Sequence, residues 1–428
     1  MAKIIGGIGA SHSPTIGFAK DTRKQDDPAW APIFEGFSEV RRWVQEKEID
    51  VLFMIYNDHI TSFFFDHYSA FALGVDNSYA PADEGGGPRD VPVAKGHAAL
   101  SQHIAAALVA DEFDMSFFQG KPLDHGCLSP LSMMGDDNVP WGGSIVPLQV
   151  GVLQLPIPNA RRCYKLGKSL RKAIQSFPED LRVAIVATGG LSHQVHGERA
   201  GFLNEDWDHE FLELLESAPQ KLVEMRLAEY AKLGGMEGAE VIMWLIMRGA
   251  LSEKVRRVHR ATYAPSMTNI ATLVFEDLGD EPGAAEIEAY RRHIAYELAG
   301  AEALEGTYPF TLAGSLANYR LNDFLHRLIE PDHRARFASD FDALAADFGL
   351  SEDEQDLVRE RKWIEMIRRG VSFFVLEKMA AVIGVSNPEV YANFRGQSLE
   401  DFQKSRKVSM HYSVAGKGKV ESLEFGKS

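Results

Sequence analysis

The sequence predicts an α/β fold: a large mixed-sheet domain with flanking helices, followed by a small all-α domain. Three observations carry this. Val51–Tyr56 and Leu181–Thr188 are unbroken apolar runs, of the length and residue type of strands buried on both faces. Residues 1–60 read strand, helix, strand, which normally means parallel strands joined by a right-handed crossover. Beyond Asp277–Ala285 (DLGDEPGAA), helical patterns repeat and strand patterns almost vanish, so domains are expected at 1–280 and 286–428.

Taken in order, Lys3–Ile8 is a short strand running into the turn Gly9–Pro14. Ile33, Phe34, Phe37, Val40 and Val44 recur at the spacing of one helix face, with Asp27 and Pro28 as start signals. Val51–Tyr56 follows and stops abruptly at Asn57, Asp58 and His59. Tyr79–Val93, with three consecutive glycines, reads as a loop, Ala94–Ala110 as a helix, and Asp114–Phe118 as a short strand. A polar loop with Asp124, His125, Gly126 and Cys127 is expected next, then a strand over Ser144–Leu155 and a helix over Ala160–Ser176. Leu181–Thr188 ends in Gly189, Gly190, Leu191, Ser192 and His193. Helices are expected over Asp206–Glu216 and Lys221–Lys232. Another covers Val241–Met247, which is apolar all round and therefore buried. Val255–Tyr263 and Asn269–Glu276 close the first part as strands. Leu316–Ile329, Glu352–Arg368 and Val371–Ile383 are the clearest helices of the second. The end, from Gly416, is Gly- and Lys-rich and expected to fray.

Composition narrows the function. With 428 residues, 45% hydrophobic and 25% charged, this is ordinary globular material. A net charge of -16 and a pI near 5.4 argue against nucleic acid or an anionic membrane as partner, since phosphate contacts need clustered Lys and Arg. Two cysteines, Cys127 and Cys163, make neither a disulfide framework nor a zinc pattern. No apolar run is long enough to span a bilayer and no secretory signal opens the chain, so a reducing cytoplasm is the expected place.

The chemistry is carried by histidines. His12, His59 and His193 each stand just past an apolar strand, and His125 a few residues past a weaker one. Ligands of open α/β sheets bind beyond the carboxyl ends of the strands, so one sheet would bring these four to one edge. A carboxylate completes the set. Glu240 enters the all-apolar helix, where an unpaired acid costs several kcal/mol unless a cation meets it. Glu237 is the rival, and both also suit a helix N-terminus. Two His and one carboxylate with open positions is the ligand set of a non-haem Fe(II) oxygenase, although zinc would accept the same groups. Other motifs fail. Gly7-Ile8-Gly9 lacks the third glycine of a dinucleotide fingerprint, and the Ser192 segment lacks the final glycine of a nucleophile elbow. His193 and His196 would pair as ligands only on a helix, which the glycines before them disfavour, and Cys127 reads as a small buried filler.

Longer motifs add a family likeness. ASHSPTIGFA around His12, YNDHITSFFFDHYSAFALGV around His59, ADEGGGPRD, PLDHG around His125, GGLSHQVHGERAGF around His193 and GGMEGAEVIMWLIMRGALS around Glu240 resemble the catalytic β subunit of extradiol ring-cleaving enzymes. GTYPFT, FLHRLIEPDHRARF and GVSFFVLEKMAAV resemble their small helical α subunit. Jointly the chain resembles the gallate dioxygenases, fused members of the protocatechuate 4,5-dioxygenase class. The resemblance implies Fe(II) held by His12, His59 and Glu240, with His193 as catalytic base and His125 as a second active-site histidine. It implies Thr268 as a substrate contact, and Glu377 and Tyr412 reaching substrate from the second protomer of a homodimer. The substrates would be gallate and O2, and the product an oxalomesaconate-type acid. Protocatechuate as substrate, a zinc hydrolase and a non-enzymatic metal-binding scaffold of this fold are the alternatives.

Overall fold

The structure is a computed structural model that describes residues 1–136 and 139–414. The expected fraying beyond Gly416 lies outside these residues. The chain divides into two compact units, Met1–Glu297 and Leu298–Ser428.

The first unit is built on one mixed sheet. Its strands are β1 (Lys3–Ala10), β2 (Val51–Tyr56), β3 (Phe71–Gly74), β4 (Ser78–Tyr79), β5 (Ala94–Gly96), β6 (Ser116–Phe118), β7 (Ser144–Val150), β8 (Arg182–Ala187), β9 (Val255–Tyr263) and β10 (Ile270–Asp277). The order is β4-β5-β7-β2-β8-β1-β10-β9, with β3 beside the end of β7 and β6 beside β3. The central four, β7, β2, β8 and β1, are mutually parallel. β10 and β9 are antiparallel additions, so the strands at 255–263 and 270–277 close the sheet. The expected parallel pair β1 and β2 exists with β8 inserted between them.

Helices cover both faces: α1 (Pro14–Asp21), α2 (Ala31–Glu46), α3 (Ala98–Ala110), α4 (His125–Met134), α5 (Ala160–Ser176), α6 (Glu205–Ser217), α7 (Pro219–Glu224), α8 (Leu227–Gly234), α9 (Trp244–Ala250) and α10 (Ala284–Ala295). Strand alternation sorts them. Ile8, Ala10, Leu52, Met54 and Tyr56 share a core with Ile33, Phe37 and Val40 of α2 and Leu128 and Leu131 of α4. Gly7 and Gly9 face α9 instead. A Cβ on Gly7 would lie 2.4 Å from Met247 Sδ and one on Gly9 2.2 Å from the Trp244 ring, so glycine here permits close helix packing. That is the physical role of the Gly-Ile-Gly sequence.

Several expectations shift. The helix read from Ala94 begins at Ala98, after β5, and the one read from Lys221 breaks into α7 and α8. Glu240 sits inside a 3-10 turn, Glu237–Met243, that leads into α9. The domain boundary also moves. Residues 278–283 are irregular as expected, but α10 stays with the first unit. Tyr290 Oη donates to Asp111 at 2.9 Å, His293 Nε2 lies 3.0 Å from the same carboxylate, and Arg291 Nε donates to the Ser176 carbonyl at 2.8 Å. The division therefore falls after Glu297, not between 280 and 286. The Gly and Pro residues mark a turn of the chain that does not leave the unit.

The second unit is all helical: α11 (Leu312–Ala317), α12 (Tyr319–His326), α13 (Pro331–Ser339), α14 (Phe341–Asp347), α15 (Glu352–Arg359), α16 (Trp363–Arg369), α17 (Phe373–Val382), α18 (Asn387–Phe394) and α19 (Leu399–Lys404). Its own core gathers Leu321, Phe324, Phe337, Leu344, Val358, Trp363, Met366, Leu376 and Met379. The single helix expected over 352–368 is interrupted at Arg361, which is left-handed with φ 53°.

One ion-pair cluster ties α2 to the sheet's antiparallel edge. Glu276 of β10 meets Lys47 Nζ at 2.8 Å, Trp43 Nε1 at 3.3 Å and Arg256 Nε at 3.1 Å. Burial alone would raise this carboxyl, but the Lys47, Arg256 and Trp43 donors together bring it below its ordinary value. A depressed carboxyl stabilises the fold above its unfolded pKa and loses that contribution as pH falls through the folded one. Glu276→Gln should therefore cost about 1–3 kcal/mol at pH 7. Denaturant melts should show the gap to the native protein closing below about pH 4.

Candidate active site

β1, β2 and β8 are parallel, so the polar residues that follow them emerge on one edge of the sheet. His12 and His59 come from the first two, and the segment Thr188–His193 from the third. Glu240 reaches the same place from the 3-10 turn. One ligand atom each of His12, His59 and Glu240 falls within 4.8 Å of the others. His12 Nε2 is 3.6 Å and His193 Nε2 3.9 Å from Glu240 Oε1. The His12 and His59 rings are 4.8 Å apart, and His125 stacks on His59 at 3.9 Å.

His125 arrives by a different route from the expected one. β6 runs with β3 and against β7, so its carboxyl end points away from this edge. The chain returns over residues 119–124, and His125 is the first residue of α4. What was expected as a polar loop is a helix start capped by Asp124, whose Oδ1 accepts from Gly126 N at 3.1 Å.

Each imidazole is oriented through Nδ1. His12 Nδ1 is 3.0 Å from Thr188 Oγ1, and His193 Nδ1 donates to the Leu191 carbonyl at 2.8 Å. His59 Nδ1 donates to Asp124 Oδ2 at 2.8 Å, and the same oxygen accepts from the His59 amide at 2.7 Å. Asn57 Nδ2 lies 3.3 Å from His59 Nε2 and can donate to its lone pair. With Nδ1 engaged, Nε2 is the atom left to act.

Burial, helped by the neighbouring His59, His125 and His193, holds His12 well below the usual histidine range, so it is neutral and can donate a lone pair. Burial also raises the Glu240 carboxyl, opposed by His193 and by the Gly190 amide at 2.5 Å from Oε1. A bound cation would favour the ionised carboxylate. Cys127 is free and buried, and desolvation pushes its thiol well up, which keeps it a neutral filler.

Glu237 is separate from this group. It pairs with the exposed His196 and accepts from Val195 N at 3.0 Å, so neither rival residue joins the cluster. Thr268 does lie at the site edge, in a β-bridge with His193. Glu377 and Tyr412 belong to the second unit. There Asn387 Nδ2 donates to Glu377 Oε1, and Asn387 N donates to the Tyr412 carbonyl at 2.9 Å. Tyr412 Oη lies 3.4 Å from Tyr391 Oη, and its phenol is pushed up to about 12 by that contact.

Sequence reasoning gave no role to Thr188, Asp124, Glu84 or Asp208. Asp208, in the acidic first turn of α6, looks like a capping acid. In fact it is buried and accepts from Ser192 N, Ser192 Oγ and Asn269 Nδ2, joining the segments that carry His193 and Thr268. Nothing local in the sequence distinguishes it from Glu205 or Asp206.

Comparison with known proteins gives the family. Residues 6–275 match the catalytic LigB subunit of aromatic ring-opening dioxygenase, and residues 321–407 match the LigA subunit of aromatic-ring-opening dioxygenase LigAB. The chain belongs to the aromatic ring-opening dioxygenases. It is 63% identical over 336 residues to a gallate dioxygenase of Pseudomonas putida, covering 78% of this chain and 99% of that one. It is 29% identical over 189 residues to a 2,3-dihydroxyphenylpropionate/2,3-dihydroxicinnamic acid 1,2-dioxygenase of Klebsiella pneumoniae, over 43% of this chain and 55% of that one. An uncharacterized protein from Escherichia coli K12 aligns with a TM-score of 0.40 and 12% identity, over 64% of this chain and 99% of its own. The protein is thus an enzyme that opens aromatic rings with dioxygen, which displaces the scaffold and hydrolase alternatives. Among the described residues, no helix is long and apolar enough to cross a membrane.

The close packing behind His193 is testable. A Cβ on Gly190 would lie 2.4 Å from Thr268 Cγ2 and 3.0 Å from His193 Cε1. Gly190→Ala should cost about 1–3 kcal/mol of stability in a thermal melt. Moving His193 and Thr268 apart should also cut kcat by roughly 10- to 100-fold.

Proposed function

We propose that this enzyme cleaves the ring of gallate with O2 on a ferrous ion held by His12, His59 and Glu240, giving an oxalomesaconate-type product. The observation that carries the reading is the convergence of two imidazoles, His12 and His59, and one buried carboxylate beside a third imidazole, His193, whose Nε2 is unengaged by any backbone group. The donor set fits the metal. Ligands about 2 Å from an ion stand roughly 3 Å apart, close to the 3.6 Å between His12 Nε2 and Glu240 Oε1. Two histidines and a carboxylate leave positions open for substrate and O2. The relative in Pseudomonas putida supports gallate as the substrate.

Iron, when bound, would supply the electron density that lets a catecholate react with O2 and would hold the two side by side. The remaining work belongs to the chain. His193, its Nδ1 proton fixed on the Leu191 carbonyl, takes a hydroxyl proton from the incoming substrate at Nε2. The same nitrogen returns that proton as the O–O bond breaks. Thr268, bridged to His193, contacts the substrate from the adjoining backbone. His125, held over His59, presents a further polar group to it. Ring opening falls beside, not between, the two hydroxyl-bearing carbons, and both oxygen atoms enter the product.

We propose further that the enzyme is a homodimer in which Glu377 and Tyr412 act on substrate bound by the second protomer. Their shared tether to Asn387 supports a joint role, and an acid with a phenol suits the third hydroxyl of gallate. A cytoplasmic location is part of this reading, and the two free buried thiols suit it.

An oxygen-electrode trace tests the function: gallate should drive O2 uptake that depends on added ferrous iron. Values of kcat/KM should favour gallate over protocatechuate, and an equal or reversed preference would overturn the substrate. Metal analysis separates the roles at the site. Glu240→Ala should lose iron, whereas His193→Phe should keep iron and lose most turnover.

A further inference from the structure

The Gly85–Gly87 loop is tied to the active site by one acid that the mechanism above does not use. Glu84 Oε1 accepts from the His125 amide at 2.8 Å, and Oε2 lies 2.5 Å from His125 Nδ1. The base of the loop is anchored by backbone: Ala82 N donates to the Leu123 carbonyl at 2.8 Å, and Leu123 N donates to that of Ala80 at 2.9 Å. Its far side is anchored by Arg89, whose Nε and Nη2 meet Asp21 at 2.8 and 2.7 Å. Between these anchors the backbone stands clear of the protein. A Cβ added at Gly85, Gly86 or Gly87 would meet nothing within 4 Å. The tip is otherwise held only within itself, by Asp83 Oδ1 accepting from Gly85 N and Gly87 N.

We propose that Glu84 is a positioning residue for the ring-opening reaction, fixing His125 toward the substrate, and that the same contact straps the 82–90 loop down beside the site. An imidazole with no partner on Nδ1 can turn over about its ring bond. A carboxylate there selects one face and one tautomer. Glu84 does this for His125 as Asp124 does for His59. The two acids must remain separate. His125 Nδ1 is already 3.9 Å from Asp124 Oδ2, and Asp124 is committed to His59 and to the α4 cap. Without Glu84, His125 would compete for Asp124 and disturb the neighbouring ring stacked on it. Because one carboxylate serves both purposes, through the amide and the imidazole of His125, loop closure and histidine alignment occur together. Glu84 is well suited to this: its side chain is 33% exposed, so it can release without stranding a buried charge.

The inference rests on the function proposed above, so its test reads the loop apart from turnover. Hydrogen–deuterium exchange over residues 82–90 is compared in the native enzyme, Glu84→Ala, His125→Phe and the double variant, alongside iron content and gallate kinetics. Glu84→Ala and the double variant should show the same faster exchange, because both lose the imidazole and the amide contacts, whereas His125→Phe keeps the residue 125 amide as a donor and should fall between them and the native enzyme. Glu84→Ala should keep its iron and lose roughly 10- to 100-fold in kcat/KM, with Glu84→Gln, which keeps one acceptor, falling between. Native exchange in Glu84→Ala, which removes both contacts, would overturn the strap. Turnover of Glu84→Ala within about twofold of native would overturn the positioning role. If the native enzyme itself ignored gallate, the functional reading would fall while the exchange comparison still judged the strap.

Discussion

Glu240 is an acid buried where acids are costly, and the edge of the sheet is arranged around it. Its carboxyl is driven toward the neutral form by burial, while a backbone amide at Gly190 and the imidazole of His193 pull it back. These partners moderate the cost without removing it. A divalent cation would remove it, because the attraction of a dipositive ion across a short distance in a dry site outweighs desolvation of one carboxylate. Seen this way, the imidazoles gathered around Glu240 suit the acid: they bring lone pairs that an ion could share with the carboxylate. His12, held below the ordinary histidine range, makes the same point from the other side.

The histidines are placed by their second nitrogens. Thr188, Asp124, the Leu191 carbonyl and Glu84 each take one Nδ1, which leaves Nε2 as the second nitrogen of each ring, that of His59 lying beside Asn57 Nδ2. Three of these partners are themselves tied to regular structure. Thr188 follows β8, Asp124 caps α4, and Leu191 is held by Asn269, which Asp208 fixes to the Ser192 segment. Glu84 alone lies on an open loop. Under the proposal above, the three anchored partners hold His12, His59 and His193, and Glu84 alone ties His125 to the loop.

Matches to a catalytic subunit and to a small second subunit occur here in one chain. Covalent linkage of the two fixes them in a one-to-one ratio. It has its own core, centred on Phe324, and needs no residue from the sheet to fill it. Asn387 joins its acid to the backbone of Tyr412: the side-chain amide donates to Glu377 and the main-chain amide to the Tyr412 carbonyl, both within that unit.

The residues alone determined a good deal. The buried strands at 51–56 and near 182–187, the helix at 160–176 and the all-helical second part are local hydrophobic patterns, and local patterns survive folding when packing agrees with them. The convergence of His12, His59 and His193 was also legible, because parallel strands must end on a common edge. Tertiary structure decided the rest. It brought His125 in on a helix from an opposed strand, chose Glu240 over Glu237, and kept the helix at 284–295 with the first unit. It also gave Asp208 and Glu84 their partners. In every such case the deciding contact joins residues distant in the chain, and no spacing or composition near an acid reveals which amide or imidazole will stand opposite it once the chain has folded.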